Sequence, residues 1–286
     1  MPMGDFDKLP VIDRKTFAML NIPLPNKKAY AFRYSHIYDL VDPVLVELRK
    51  KAVVAGEGTD IISFGGDTGE KEIFSILPHD IAKERVTNVY IYDISPFVPE
   101  EFTEKTAQYP GVGFTYVSNT DLSEFTLDSR HVDNTRLCSL VAVTDYLTPQ
   151  EGVNVLELIK KELQPDYFFL GLWLAAPDIE VSRNQLVGRE IDEMKQLISG
   201  QGYSCLQKLS PIGEDDLLRK GCFSLGWTSK EIADFNLFPG YPGTSFYPIS
   251  VARYFKDRYD LLRISTYRVE GDAYPREVFF IFKKSS

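Results

Sequence analysis

The sequence predicts an α/β fold in which a mostly parallel sheet is covered by helices on both faces and closed by a C-terminal antiparallel hairpin. Three observations predict it. Apolar runs of strand length recur at 60–64, 88–93, 113–117, 136–143 and 166–174. Helical stretches separate several of these runs. The last part of the chain reads as two strands around a turn at Gly271 and Asp272. Continuous apolar runs, rather than alternating ones, mark strands buried on both faces. Their alternation with helices marks a parallel sheet.

Each element follows in order. Residues 1–28 carry Pro2, Pro10, Pro23 and Pro25 and read as an N-terminal arm. Residues 29–51 are helical, with Phe32, His36, Leu40 and Val44 near helical spacing, and Pro43 breaks or restarts that helix. The first strand, Asp60 to Phe64, stops at Gly65 and Gly66. Glu70 to Lys83 is a helix with Ile73, Phe74, Ile76 and Leu77 as its apolar face. Strands over 88–93, 113–117 and 136–143 follow. Pro149 to Leu163 is a helix, because proline suits its first turn and Val153, Leu156 and Ile159 share one side. The fifth strand covers 166–174. Arg183 to Ser199 is helical, 200–248 is rich in turns, and 260–270 with 275–283 forms the terminal hairpin.

Composition excludes several classes. Apolar residues are 44% and charged residues 26%, close to globular averages, so disorder is not expected. The net charge of −9 repels a phosphate backbone, so we expect no nucleic-acid partner. The longest apolar run, Tyr167 to Ala176, is half of the roughly 20 residues a spanning helix needs, so no membrane partner is expected. The N-terminus has no basic segment followed by an apolar one, so we expect no secretory signal. Cys138, Cys205 and Cys222 are odd in number and form no CxxC pair, which fits a reducing, cytoplasmic location. His36, His79 and His131 are scattered, so no metal site is expected.

Open parallel sheets bind ligands beyond the carboxyl ends of their strands. The first strand ends in Gly65, Gly66, Asp67, Thr68 and Gly69, where glycines let a ligand approach the backbone. The second ends in Asp93, 28 residues after Gly65, where a carboxylate accepts both hydroxyls of a ribose. Asp93 also reads as a helix N-cap. The third strand leads to Asn119, Thr120, Asp121 and Leu122. Asp121 suits an adenine amine and Leu122 its face, although Asp121 can equally cap a short helix. Together these residues describe a nucleoside pocket. Asp67 in the loop disfavours a pyrophosphate and suits a cationic amino-acid end. That favours S-adenosylmethionine over a nicotinamide dinucleotide as cofactor.

At these residues the chain resembles the leucine carboxyl methyltransferase family. Lys28 to Ile37, with Arg33, is similar to the family's segment in which an arginine grips the cofactor's carboxylate. Ile62 to Thr68 resembles its glycine loop, and Val89 to Pro96 its strand ending in an acid, with Ile94 beside Asp93. Asp121 and Leu122 resemble its adenine contact. Leu140 to Pro149 resembles the tail of its fourth strand, with Val141 standing where the family has a glutamate and Asp145 a few residues on. Gly226 and Trp227 resemble a later Gly-Trp.

The resemblance implies a Rossmann-like methyltransferase fold with a seven-stranded sheet. It implies one domain over 1–286: the arm, a cofactor-binding core at 29–175, an acceptor-side insertion at 176–250 and the hairpin at 251–286. It implies methyl transfer to a carboxylate, on a protein C-terminus or a small molecule, by a monomer or homodimer. Arg33 holds a carboxylate through its planar fork and Tyr146 orients one through its hydroxyl. The cofactor set is Arg33, Gly65, Gly66, Asp67, Asp93, Ile94, Asp121, Leu122 and Val141. The competing reading is a catalytically silent methyltransferase-like scaffold, motivated by Val141 and the altered loop.

Overall fold

A computed structural model describes residues 41–48, 50, 58–65, 76–94, 98–122, 125, 134–141, 143–144, 147–173, 209–225, 243–267 and 277–286. The expected arm at 1–28 and the helix at 183–199 lie outside these residues.

The predicted strands form one sheet. They are β1 (Thr59–Phe64), β2 (Val86–Tyr92), β3 (Gly113–Val117), β4 (Thr135–Val141) and β5 (Tyr167–Trp173). A short antiparallel ribbon of β6 (Cys222–Leu225) and β7 (Gly243–Phe246) comes next, then β8 (Tyr259–Tyr267) and β9 (Glu277–Lys284). The main sheet has seven strands in the order β3-β2-β1-β4-β5-β9-β8. β1 to β5 pair in parallel, while β9 runs antiparallel to β5 and to β8. This is the expected mostly parallel seven-stranded sheet, C-terminal antiparallel hairpin included. The reversal after β3 puts β4 on the other side of β1 and creates a switch point between β1 and β4.

Burial explains the order. Every residue of β1 and β5 is buried, and Val278 to Phe282 in β9 are buried on both faces. β8, on the edge, keeps Leu262 to Thr266 partly exposed and is bulged between Leu261 and Arg263. Two apolar clusters lie on the two faces of the sheet. One packs Val41, Val44, Leu45 and Leu48 of the helical residues 41–48, with Ala82 and Phe102, against Ile61, Val89, Ile91 and Phe169. The other packs Val153, Leu156 and Ile159 with Val251 and Phe255 against Ile62, Leu140, Phe168 and Phe280. Helical elements therefore cover both faces.

Local differences from expectation have physical causes. Pro43 lies inside the uninterrupted helical run 41–48, so it does not break it there. The second helix is not continuous to Lys83 from the described part of 70–83. Residues 76–78 form a turn, which buries Ile76 and Leu77, and a short helix then covers Asp80–Arg85. A helix at Glu100–Thr106 was not expected; it buries a single apolar side chain, Phe102, edge-on to Phe114 and Tyr116. The Pro149–Glu157 helix starts on a capping box. Thr148 accepts from the Glu151 amide, and Glu151 reaches back to the Thr148 amide. Its last turn, Leu158–Leu163, is wound as a π-helix and stops at Gln164 in the left-handed region. Lys160 in that turn is buried. Its Nζ donates to the Tyr254 carbonyl at 2.6 Å and pairs with Asp257 at 2.7 Å, clasping the Pro248–Phe255 helix to it.

Candidate functional site

The site lies at the carboxyl edge of β1 to β4. Phe64 at the end of β1 is in register with Tyr92 of β2 and Leu140 of β4, and Tyr92 with Val117 of β3. Three backbone hydrogen bonds extend this alignment into the loops. Gly65 N–H donates to the Tyr92 carbonyl at 2.8 Å. Asp93 N–H donates to the Val117 carbonyl at 3.1 Å, and the Asp93 carbonyl accepts from Thr120 N–H at 2.8 Å. Gly65, Asp93 and Thr120 are thereby held side by side, with Asp121 next in the chain.

Local sequence makes this possible. Asn119 has φ +56°, in the left-handed region that asparagine tolerates better than most residues. That single residue reverses the chain after β3, so that Thr120 reaches Asp93. Below the turn, Phe125 packs edge-on to Tyr92 and to Phe64, with ring centroids 4.9 and 5.1 Å apart. Leu122 is 9% exposed in the same apolar cluster. The aromatic trio anchors the loop that carries Asp121 to the ends of β1 and β2.

Packing gives a reason of its own for glycine at 65. Its φ is +61°, and a Cβ there would lie 2.6 Å from Val143 Cγ2. The direction a side chain would take from its Cα is filled by Val143. Val141 ends β4 opposite Gly171 and is buried in the cluster around Phe169 and Phe279. A Cβ at 171 would lie 2.8 Å from Val141 Cγ1, so glycine is required for that valine to fit.

Asp93, Ile94 and Asp121 are all partly exposed. Two carboxylates at one edge, beside apolar Leu122 and Ile94, suit a ligand with hydroxyls and cationic groups. Arg33, Gly66, Asp67 and Tyr146 lie outside the described residues, as does Asp145. The structure thus brings together Gly65, Asp93, Ile94, Asp121 and Leu122, and buries Val141, at the end of β4, in the apolar cluster opposite the one that holds Leu122.

No family model matches the chain, and no curated protein matches it by sequence. Resemblance to the leucine carboxyl methyltransferases therefore rests on the short motifs alone. Among solved structures, the chain is similar to the magnesium protoporphyrin IX methyltransferase of Synechocystis PCC 6803, solved with bound S-adenosylhomocysteine. The TM-score is 0.47 and the identity 14%, over 95% of this chain and 93% of that one. It is similar to a SAM-dependent methyltransferase of Leishmania major, with TM-score 0.46 and 12% identity over 94% and 82%. The N-methyltransferase NodS of Bradyrhizobium japonicum WM9, in complex with S-adenosylhomocysteine, has TM-score 0.43 and 9% identity over 86% and 87%. Likenesses this remote leave the chemistry of the site to its own residues.

Among the described residues no group of three or more His, Cys, Asp or Glu is placed to hold a metal ion, and no helix is long and apolar enough to cross a membrane. Burial pushes the Cys138 and Cys222 thiols up, so neither is a ready thiolate at neutral pH. Val143 and Phe125 also shape the site, and neither carries a local signal in the sequence; Asn119, named as part of the segment after the third strand, does, as an αL-tolerant residue two positions past β3.

Proposed function

We propose that this chain is an S-adenosylmethionine-dependent methyltransferase acting on a carboxylate. One observation carries the reading: Asp93, at the end of β2, is joined by backbone hydrogen bonds to Val117 and Thr120, which sets Asp121 beside it at the carboxyl edge. A partly exposed carboxylate after β2 fits the paired hydroxyls of a ribose. Asp121 with Leu122 beside it fits an adenine edge and face. When bound, the cofactor supplies an electrophilic methyl group on a sulfonium. Asp93 and Asp121 would hold its nucleoside end, and their negative charge favours a cation at that edge. A carboxylate acceptor is ionised at neutral pH, since its ordinary pKa is about 4. The chain's task is then to align the reactants and exclude water, and no general base is required.

Calorimetry with S-adenosylhomocysteine tests this. The wild type should bind, and Asp93→Ala should weaken binding about ten- to a hundredfold, the cost of losing charged hydrogen bonds. Binding of a nicotinamide dinucleotide instead would end the reading. The burial of Val141 in apolar core, with no acid at that position, favours a second reading as a silent scaffold. Tight cofactor binding with no transfer of labelled methyl to any acceptor would select it.

A further inference from the structure

Ser210 stands apart from the carboxyl edge of the sheet. With Pro211 it lies in residues 209–213, which belong to no helix or strand and lead into residues 214–221. Both Ser210 and Pro211 are exposed. The Ser210 hydroxyl makes no hydrogen bond among the described residues. Its backbone, by contrast, is held from across the fold. Arg253 Nε, on the Pro248–Phe255 helix, donates to the Ser210 carbonyl at 2.8 Å. Lys256 Nζ, just past that helix, donates to the Leu209 carbonyl. Ile212 N–H donates to the Arg253 carbonyl at 3.4 Å.

Hydroxyl residues precede proline at Ser95-Pro96, Thr148-Pro149 and Ser210-Pro211. Thr148 is spent on the capping box of the Pro149–Glu157 helix, and Ser95 lies outside the described residues. Ser210 therefore offers the accessible hydroxyl. The proline after it disfavours helix at Ser210 and keeps it extended, the shape a kinase cleft takes up. The two cations that grip adjacent carbonyls are an independent feature. Arg253 spends only Nε on its carbonyl, and its terminal nitrogens make no hydrogen bond among the described residues. A guanidinium takes phosphate through a planar fork. Acids close in sequence do not claim it: Asp215 and Asp216 pair with Arg219 and Lys220, and Asp257 pairs with Lys160.

We propose that Ser210 is a phosphorylation site for a proline-directed protein kinase, and that its phosphate docks on Arg253 and Lys256. In the transfer, Ser210 Oγ attacks the γ-phosphorus of a nucleoside triphosphate held by the kinase. The Oγ–P bond forms and the bond from that phosphorus to the oxygen bridging to the β-phosphate breaks. The nucleoside diphosphate leaves, and the hydroxyl proton passes to the kinase's base. The new group brings a charge of about −2 and three acceptor oxygens beside two cations already in place. It turns two carbonyl contacts into an ion-paired clasp and tightens 209–212 on the Pro248–Phe255 helix. None of this depends on the methyltransferase reading.

The test uses the full chain with magnesium ATP labelled at the γ-phosphate, and with a mitogen-activated and a cyclin-dependent protein kinase in turn. At least one should label the wild type at Ser210, as located by mass spectrometry, and that label should be absent from Ser210→Ala. The phosphorylated wild type should melt about 2–4 °C above the untreated chain at low salt. In about 0.5 M sodium chloride most of that gain should vanish, because ions screen an exposed pair. Arg253→Gln, compared with its own unphosphorylated form, should show no gain. Should Arg253→Gln fail to fold, the salt dependence of the wild type decides in its place. Absence of label at Ser210 with both kinases overturns the proposal. So does label at Ser210 with an unchanged melting temperature, and so does a gain that persists in salt or in Arg253→Gln.

Discussion

Thr244 Oγ1 donates a 2.6 Å hydrogen bond to the carbonyl of Leu147. Both residues are buried. This bond fastens the β6–β7 ribbon to the turn between β4 and the Pro149–Glu157 helix. Thr244 and Phe246 both face Gly152 on that helix, where a Cβ would lie 3.1 Å from the Phe246 ring. The ribbon is thereby seated next to the carboxyl edge of the sheet. Thr244→Val should leave the Leu147 carbonyl buried and unpaired, at about 1–3 kcal/mol. Urea unfolding should show a lower midpoint with an unchanged slope.

Gly65 and Val143 form a second dependent pair. Gly65→Ala meets both a left-handed backbone and the Val143 methyl. The expected loss of stability is about 1–3 kcal/mol. Adding Val143→Ala should recover only the steric part, since the positive φ remains. A double-mutant cycle from denaturant melts measures the split, and strict additivity would show that the two side chains do not meet.

At the opposite edge, Asp60 is fully buried and bridges three strands. Its Oδ1 accepts from Asn88 Nδ2 at 2.8 Å, from Asn134 Nδ2 at 2.9 Å and from Thr87 Oγ1 at 3.3 Å. Asp60→Ala should cost about 3 kcal/mol or more, because three buried hydrogen bonds are lost together. Asp60→Asn keeps an oxygen there and should cost less. Asp60 is the second residue of β1 and lies about 16 Å from the site by strand rise. Affinity for S-adenosylhomocysteine should therefore be unchanged in Asp60→Asn, which makes it a stability control for Asp93→Ala.

Glu157 and Glu214 share a hydrogen bond between the helix over 149–163 and residues 214–221. That bond lowers Glu157 below the usual carboxylate range and raises Glu214 above it, despite Lys161 Nζ 4.0 Å from Glu214. A raised carboxyl stabilises the fold when protonated. Glu214's contribution is therefore present below its unfolded pKa and lost as pH rises through its folded one. Glu157's lowered pKa works the other way, with stability present above its unfolded pKa and lost as pH falls through its folded one. Glu214→Gln keeps a donor at all pH values. Its melting temperature should gain on wild type from pH 5 to pH 8, and a constant difference across that range would count against the shared proton.

Much of the architecture was legible in the sequence, because it is written locally. β1, β2, β4 and β5 announce themselves as apolar runs, since a strand covered on both faces along most of its length has little room for polar residues. Thr148, Pro149 and Glu151 spell out a helix start in four residues. Asp93 and Asp121 were legible as candidates because one directly follows a strand and the other lies in the loop after the next strand, and parallel strands bring their carboxyl ends to one edge. Other features needed the tertiary structure. β8 and β9 are both strand-like, and only assembly sets β9 between β5 and β8. There Val278 to Phe282 bury both faces, while Arg263 and Thr266 keep access to water at the rim. The β6–β7 ribbon is too short to signal itself; Phe223 and Phe246 are buried because distant helices cover them. Gly65 was legible as a glycine that mattered, but its partner, Val143, lies 78 positions away. Ser210 and Arg253, 43 positions apart, meet only in the fold. Such a contact exists only once every neighbour is in place, because burial and hydrogen bonding are properties of the packed chain rather than of any segment of it.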